Sequence, residues 1–231
     1  MKIAIIPARG GSVRIPNKNI REFCGKPMIA WSIEAALQSN LFDKVIVSTD
    51  SDQIAKIAEE YGAIAPFRRP KELSDEYATT RQVVQHAIDW ISKHESTPEH
   101  VCCLYATAPF VTPSNLYRAY QQLIDSKKNF CFSVADFPYP IQRAMFKNES
   151  GDIEMLHPEH RYTRSQDLVE TFHDAGQFYW GRAQAFIDNL PTFSEHSTPF
   201  TLERHQVQDI DTEADWKFAE LLFTAHAQSN G

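Results

Sequence analysis

The chain has 231 residues, 42% of them hydrophobic and 12% aromatic, with a formal net charge of -7. That is enough apolar content for one large domain with a buried core, and the wrong overall sign for a nucleic-acid binder. A negative total still leaves room for an anion site, because a few placed basic side chains outweigh it locally. No stretch approaches the ~20 apolar residues that span a bilayer, so no membrane partner is expected. The opening run Met1–Ile6 meets Pro7 and Arg9 too soon for a signal peptide. It reads as a first strand, and a cytoplasmic location is expected. Cys24, Cys102, Cys103 and Cys131 show no metal-ligand spacing and are read as buried free thiols of a reducing compartment.

Residues 2–7 form an apolar run and predict a buried strand. After a glycine-containing segment, Pro27 stands where a helix begins, and Met28, Ile29, Ile33, Ala36 and Leu37 share one helical face. Lys44–Thr49 is short and β-branched, a second strand. Asp50 or Ser51 then caps a helix with Ile54, Ile57, Ala58 and Tyr61 on one face and Gly62 as its stop. A third short strand is expected near Ile64–Phe67, followed by a charged, proline-containing loop and a helix carrying Val83, Val84, Ala87, Ile88 and Ile91. Val101–Tyr105 reads as a fourth strand, and Pro113 opens a helix with Leu116, Tyr120 and Leu123. From Phe130 to Tyr179, short apolar pieces are broken by Pro138, Pro140, Gly151 and Pro158. This predicts an inserted β-rich excursion, followed by a strand near Gln177–Trp180. A final helix over Thr212–His226 places Trp216, Ala219, Leu222 and Phe223 together. The alternation implies right-handed βαβ units and an α/β fold with a mainly parallel sheet flanked by helices. Ligands in such sheets gather beyond the carboxyl ends of the strands, which directs attention to the segments after Ile6, Thr49 and Tyr105.

Pro7-Ala8-Arg9-Gly10-Gly11-Ser12 directly follows the first strand. Its two glycines permit a tight turn that presents N–H groups to an anion. Arg9 adds a planar fork for phosphate oxygens and Ser12 a hydroxyl, with Arg14, Asn17, Lys18 and Asn19 on the same loop. This is not a Walker loop, since Gly25-Lys26 is followed by Pro27. Near the C-terminus, Asp209-Ile210-Asp211 puts two carboxylates on one face of an extended segment. Such a pair suits Mg²⁺, which binds a few carboxylates alongside water and substrate phosphate. The alternative is that Asp211 caps the final helix. The charged run Arg68–Asp75, taken alone, is a solvated face.

Together these segments resemble the cytidylyltransferases that activate nine-carbon keto-sugar acids, the CMP-sialic acid synthetase family of nonulosonate cytidylyltransferases. Ile6–Ser12 with Pro16-Asn17-Lys18-Asn19 is similar to that family's nucleotide signature. Gly25-Lys26-Pro27-Met28, Val47-Ser48-Thr49-Asp50, Arg69-Pro70-Lys71-Glu72-Leu73 and Asp209-Ile210-Asp211-Thr212 follow in the family's order. Cys103–Pro109, where enzymes for ordinary sialic acid carry Gln-Pro at the Tyr105-Ala106 positions, looks most similar to the members that use pseudaminic acid. So do Thr163–Leu168, His173–Gly176 and Gly181–Phe186.

The resemblance implies a single domain over residues 1–231, Rossmann-like in the manner of nucleotide-diphospho-sugar transferases, and a homodimer with residues 137–173 as its dimerisation excursion. It implies CTP and a nonulosonic acid as substrates and Mg²⁺ as cofactor. Ala8, Arg9, Gly10, Gly11, Ser12, Asn19, Arg69, Thr79 and Thr80 are expected around the nucleotide. Arg9, Lys18 and Asp211 are expected to act in catalysis, and Asp209 with Asp211 to hold the metal. Tyr105, Arg164, Gln166 and Asp174 are expected at the sugar, with Arg164 offered across the dimer. One departure is Val13, where the family pattern has Lys after Gly-Gly-Ser. Losing one charge-assisted contact there is expected to cost ~1.5–3 kcal/mol of phosphate binding, with Arg14 and Lys18 on the same loop to compensate. Two rivals stand beside this reading: an acceptor such as legionaminic or N-acetylneuraminic acid, and a nucleotide-binding protein without catalysis.

Overall fold

The computed structural model describes residues 1–12 and 14–229. In chain order its strands and helices are β1 (Lys2–Pro7), β2 (Glu22–Phe23), β3 (Lys26–Pro27), α1 (Met28–Gln38), β4 (Lys44–Ser48), α2 (Asp52–Glu60), α3 (Thr80–His94), β5 (His100–Leu104), α4 (Pro113–Ser126), β6 (Phe130–Asp136), β7 (Met145–Lys147), β8 (Ile153–Met155), β9 (Phe172–Arg182), α5 (Ala183–Ile187), β10 (Ser197–Thr201) and α6 (Glu213–Ser229). Six strands form the main sheet in the order β10-β6-β9-β5-β1-β4. All run parallel except β9, which lies antiparallel between β5 and β6. No helix of the described residues is long and apolar enough to cross a membrane.

Strands β1, β4 and β5 are buried along nearly their whole length because helices cover both faces. On one face α1, α2 and α4 pack Ile29, Ile33, Ile54, Ala58 and Leu116 against Ala4, Ile6 and Cys102. On the other, α3 and α5 pack Val84, Ile88, Ile91 and Phe186 against Ile3, Ile5 and Cys103. Cys102 and Cys103 thus enter opposite cores, and burial pushes the Cys103 thiol up to about 12. A third cluster sets the functional end of the sheet. Ile15 of the loop after β1 and Ile210 of the segment before α6 are both buried with Phe23, Met28, Phe110 and Trp216. Their neighbours Arg14 and Asp211 are thereby drawn face to face.

Four expectations are corrected. Ile64–Phe67 is no strand: it touches β4 only through isolated parallel bridges, Ile46 to Ile64 and Thr49 to Arg68. Residues 130–136 belong to the main sheet as a central strand, and β9 begins at Phe172, five residues before the expected start. The intervening excursion is poor in β structure, holding one three-residue hairpin, β7–β8, among 3-10 turns. Leu37, expected on one helical face with Met28, Ile29, Ile33 and Ala36, is 40% exposed while those four are buried.

Candidate active site

Ser51, not Asp50, caps α2, accepting from the Ile54 N–H at 3.3 Å. That frees the Asp50 carboxylate to accept from the Gly10 N–H at 2.9 Å, which holds the glycine loop over the end of β4. A Cβ on Gly10 would stand 3.2 Å from that of Ser51, a tight contact that the start of α2 would have to yield to. The turn spends more of its donors internally than its glycines suggest. Ala8 N–H goes to Ser48 O at 2.9 Å and Ser12 N–H to Gly10 O at 3.1 Å. Gly11, exposed and with open space around its Cα, keeps an N–H without a protein acceptor among the described contacts.

Side chains rather than main chain therefore make the charge of this cleft. Arg9, Ser12, Arg14, Lys18, Asn19 and Arg69 line it, with Thr80 and Val83 from the start of α3. Asn19 is buried and its Nδ2 donates to the Arg9 carbonyl at 2.9 Å, while Arg9 Nη1 donates to the Asp75 carbonyl at 2.9 Å. The Arg69 guanidinium is only 7% exposed, and its Nε and Nη2 have no hydrogen-bond partner. Its nearest carboxylate, Asp50, is 4.0 Å away. Burial lowers the Arg69 pKa, with Asp50 opposing. Val13 lies outside the described residues.

Asp209 is exposed, Ile210 buried and Asp211 half-buried, the alternation of an extended segment with both carboxylates on the outer face. Asp211 meets Arg14 Nη1 at 2.5 Å and Lys18 Nζ at 3.4 Å. It does not cap α6: the Thr212 hydroxyl accepts from the Asp215 N–H at 3.2 Å, and Asp215 returns the bond to the Thr212 N–H at 2.8 Å. Asp209 accepts no hydrogen bond and makes no ion pair through its carboxylate among the described contacts. No cluster of three or more ligating side chains exists among the described residues. Two hard carboxylate oxygens donors beside a basic cleft fit a magnesium ion that draws its remaining ligands from water and phosphate.

A second cleft adjoins the first at Thr107 and is lined by Tyr105, His173, Asp174, Gly176, Gln177, Tyr179 and Asp209. Asp174 reaches it because β9 runs antiparallel, so its beginning lies at the same end of the sheet as the ends of β1 and β5. The Tyr179 hydroxyl donates to Asp174, whose other oxygen accepts from the Gly176 N–H at 2.9 Å. Tyr105 and Thr80 hydroxyls stand 3.4 Å apart. Burial raises the pKa of both tyrosines, so both stay neutral donors.

Of the residues named from sequence, Arg9, Ser12, Lys18, Asn19, Arg69 and Thr80 line the first cleft, while Tyr105, Asp174 and Asp209 line the second. Asp211 stands across from Arg14 and Lys18. Thr79 lines neither cleft: its hydroxyl accepts from Gln82 N–H and the Gln82 side chain returns to Thr79, a capping box that opens α3. Arg164 and Gln166 sit exposed at a 3-10 turn of the excursion and line neither cleft. Asp50, Thr107, Gln177 and Tyr179 were not singled out by sequence. The signal for Asp50 was present, in a Thr49-Asp50-Ser51 segment at a strand end with one carboxylate more than the cap needs. Tyr179 gave none, being one aromatic among many.

Residues 3–225 match the family described as cytidylyltransferase. The chain belongs to the cytidylyltransferase family. It is 47% identical over 227 residues to the pseudaminic acid cytidylyltransferase of Campylobacter jejuni, covering 98% of each chain. It is 31% identical to the CMP-N,N'-diacetyllegionaminic acid synthase of Legionella pneumophila, again covering 98% of each. A solved CMP:2-keto-3-deoxy-manno-octonic acid synthetase, complexed with CTP, shares the fold with a TM-score of 0.70 at 18% identity, over 97% of this chain and 99% of that one. This cytidylyltransferase thus carries a six-stranded sheet and helices arranged as in that neighbour.

Proposed function

We propose that the chain transfers the CMP group of CTP to the anomeric hydroxyl of pseudaminic acid, releasing pyrophosphate, as a Mg²⁺-dependent homodimer of the cytoplasm. The observation that carries this reading is the meeting of two clefts at Thr107, one basic and one lined by hydroxyls and carboxylates. The 47% identity to an enzyme named for pseudaminic acid supports the choice of acceptor.

The basic cleft takes the nucleotide. Arg9, Arg14 and Lys18 meet the triphosphate, and the buried fork of Arg69 gives its unpartnered N–H groups to polar atoms of the bound nucleotide. The acceptor lies in the second cleft with Tyr105, Tyr179 and Asp174 on its hydroxyl and amide groups. Its anomeric oxygen attacks the α-phosphorus in line, a P–O bond forms as that to the β-phosphate oxygen breaks, and pyrophosphate departs with the bonding pair. Asp209 and Asp211 would hold Mg²⁺, which when bound neutralises charge on the phosphates. A carboxylate of that pair takes the hydroxyl proton. The protein's share is orientation and charge complementarity rather than covalent chemistry.

Pyrophosphate release from CTP and Mg²⁺ should occur with pseudaminic acid and fall to background with N-acetylneuraminic acid. Asp211→Asn should lose it by about 10² or more, the scale of a lost catalytic electrostatic contact. Equal background rates for wild type and variant would sink the enzymatic reading. Turnover on another nonulosonic acid alone would move the acceptor.

A further inference from the structure

Beside the acceptor cleft lies a smaller, mainly apolar side pocket that shares Tyr105, Asp174 and Tyr179 with it. Its outer wall is Thr192 and Phe193, from the irregular segment that joins α5 to β10. Phe193 is 71% exposed, and its ring meets Phe132 edge-on at 5.2 Å. A surface segment without regular structure keeps such a wall in place only where it is tied down.

The tie comes from α3. Arg81 Nη2 donates to Thr192 Oγ1 at 2.6 Å and Nη1 to the Ala185 carbonyl at 3.5 Å. The guanidinium lies 5.4 Å from the ring centre of Phe130 and 5.7 Å from that of Phe186. Arg81 makes no salt bridge among the described residues, and burial alone lowers its pKa. Removing a cation from water without an acid partner is costly, and here its charge is spent on two acceptors that bracket one segment. A planar fork reaches two separated acceptors from two fixed nitrogens, whereas an ammonium gathers all its donors on one atom. Gln85, one turn on, donates to the Phe186 carbonyl at 2.7 Å and secures α5 itself. The residue before Arg81 is Thr80, which faces the nucleotide cleft.

We propose that Arg81 is a positioning residue for the acceptor: by bridging Thr192 and Ala185 it fixes Phe193 as the wall against which the acceptor's least polar substituent packs. The identity of that ligand rests on the transfer reading above; the hold on the segment does not. Two measurements on the full chain test it, using wild type, Arg81→Ala, Arg81→Lys and Thr192→Val. Hydrogen exchange over residues 188–196 should speed in Arg81→Ala and Thr192→Val. The KM for the acceptor should rise about tenfold in Arg81→Ala while the KM for CTP and kcat stay within about twofold, the pattern of lost ground-state binding. Arg81→Lys should fall between, holding one acceptor of the two. Unchanged exchange in that segment, or an equal rise in both KM values, would overturn the proposal. Should Arg81→Ala fail to fold, Thr192→Val, which keeps the shape and removes the acceptor oxygen, decides it by the same two readouts. Absence of turnover by wild type on any nonulosonic acid defeats the transfer reading alone, and the exchange data still decide the role of Arg81.

Discussion

Arg69 holds a nearly buried guanidinium with two nitrogens unpartnered and its nearest carboxylate 4.0 Å away. Buried polar atoms without partners are rare and a burden to the fold, and the residue that carries them lines the nucleotide cleft. Arg69 has only a 4.0 Å contact with Asp50 to offset the burial of its charge, and removing a cation that burial disfavours relieves that desolvation cost. Arg69→Met should therefore raise Tm by a few degrees, on the scale of ~1 kcal/mol, while weakening CTP binding at least tenfold by calorimetry; a lower Tm would make Arg69 structural. Val13 follows Gly10-Gly11-Ser12 in the sequence, where the family pattern has Lys. Val13→Lys should tighten CTP by about tenfold, the scale of one charge-assisted hydrogen bond, with unchanged affinity marking Arg14 and Lys18 as full compensation. The basic loop and the aspartate pair were legible in sequence because their chemistry is local, while Tyr105 was named only through the family resemblance. Asp50 and Tyr179 were not, because their partners, Gly10 and Asp174, are set by strand neighbours.

At the scale of elements, α3 shows why Thr79 and Thr80 divide their labour. Thr79 closes a capping box with Gln82, and Thr80 turns into the cleft. Thr79→Ala should cost about 1 kcal/mol in denaturant unfolding and leave the CTP affinity as it was; a loss of affinity at unchanged stability would return Thr79 to the nucleotide. Strand β9 taught a different lesson. Gly176, at φ +61, and the polar pair His173-Asp174 break its alternation, so sequence placed its start too late. The structure pairs those residues with β6, Asp174 opposite Val134 and His173 opposite Ala135. Ser133 sits at the register shift between Phe132 and Val134, its hydroxyl bonded to the main chain of Gln177 and Phe178.

Across the whole molecule, the excursion between β6 and β9 exposes Tyr139, Met145, Ile153, Leu156, Tyr162 and Val169, a run of large apolar side chains of the kind that another protein surface can cover. If this is the dimer face, Ile153→Glu should halve the mass seen by analytical ultracentrifugation, and an unchanged dimer would move the interface elsewhere. The opposite end of the sheet bears on pH. His100 is buried with both ring nitrogens unpartnered, and burial lowers its pKa, with Glu99 opposing and Arg182, Lys2 and the N-terminus assisting. His86 is lowered by burial too, with Asp89 and Glu72 opposing and Arg69 and Lys93 assisting. In the unfolded chain both titrate near ~6.5, so there the unfolded state binds more protons and stability rises with pH. Their contribution is complete above that value and is lost as pH falls from it toward the lowered folded values. Unfolding midpoints measured from pH 7.5 to 5 should drop, and the drop should shrink in His100→Gln.

The sequence by itself determined the α/β alternation, the helices α1 to α4, the strands β1, β4 and β5, the basic loop and the paired aspartates. Each is written in periodicity, capping residues or the chemistry of a few neighbours along the chain. Only the tertiary structure decided that β9 runs antiparallel and so delivers Asp174 to the end where β1 and β5 finish. It alone decided that Ile15 and Ile210 share one core and so bring Arg14 and Lys18 to Asp211. Those decisions rest on which distant apolar side chains are buried together, and burial belongs to the assembled sheet and helices rather than to any single stretch of chain.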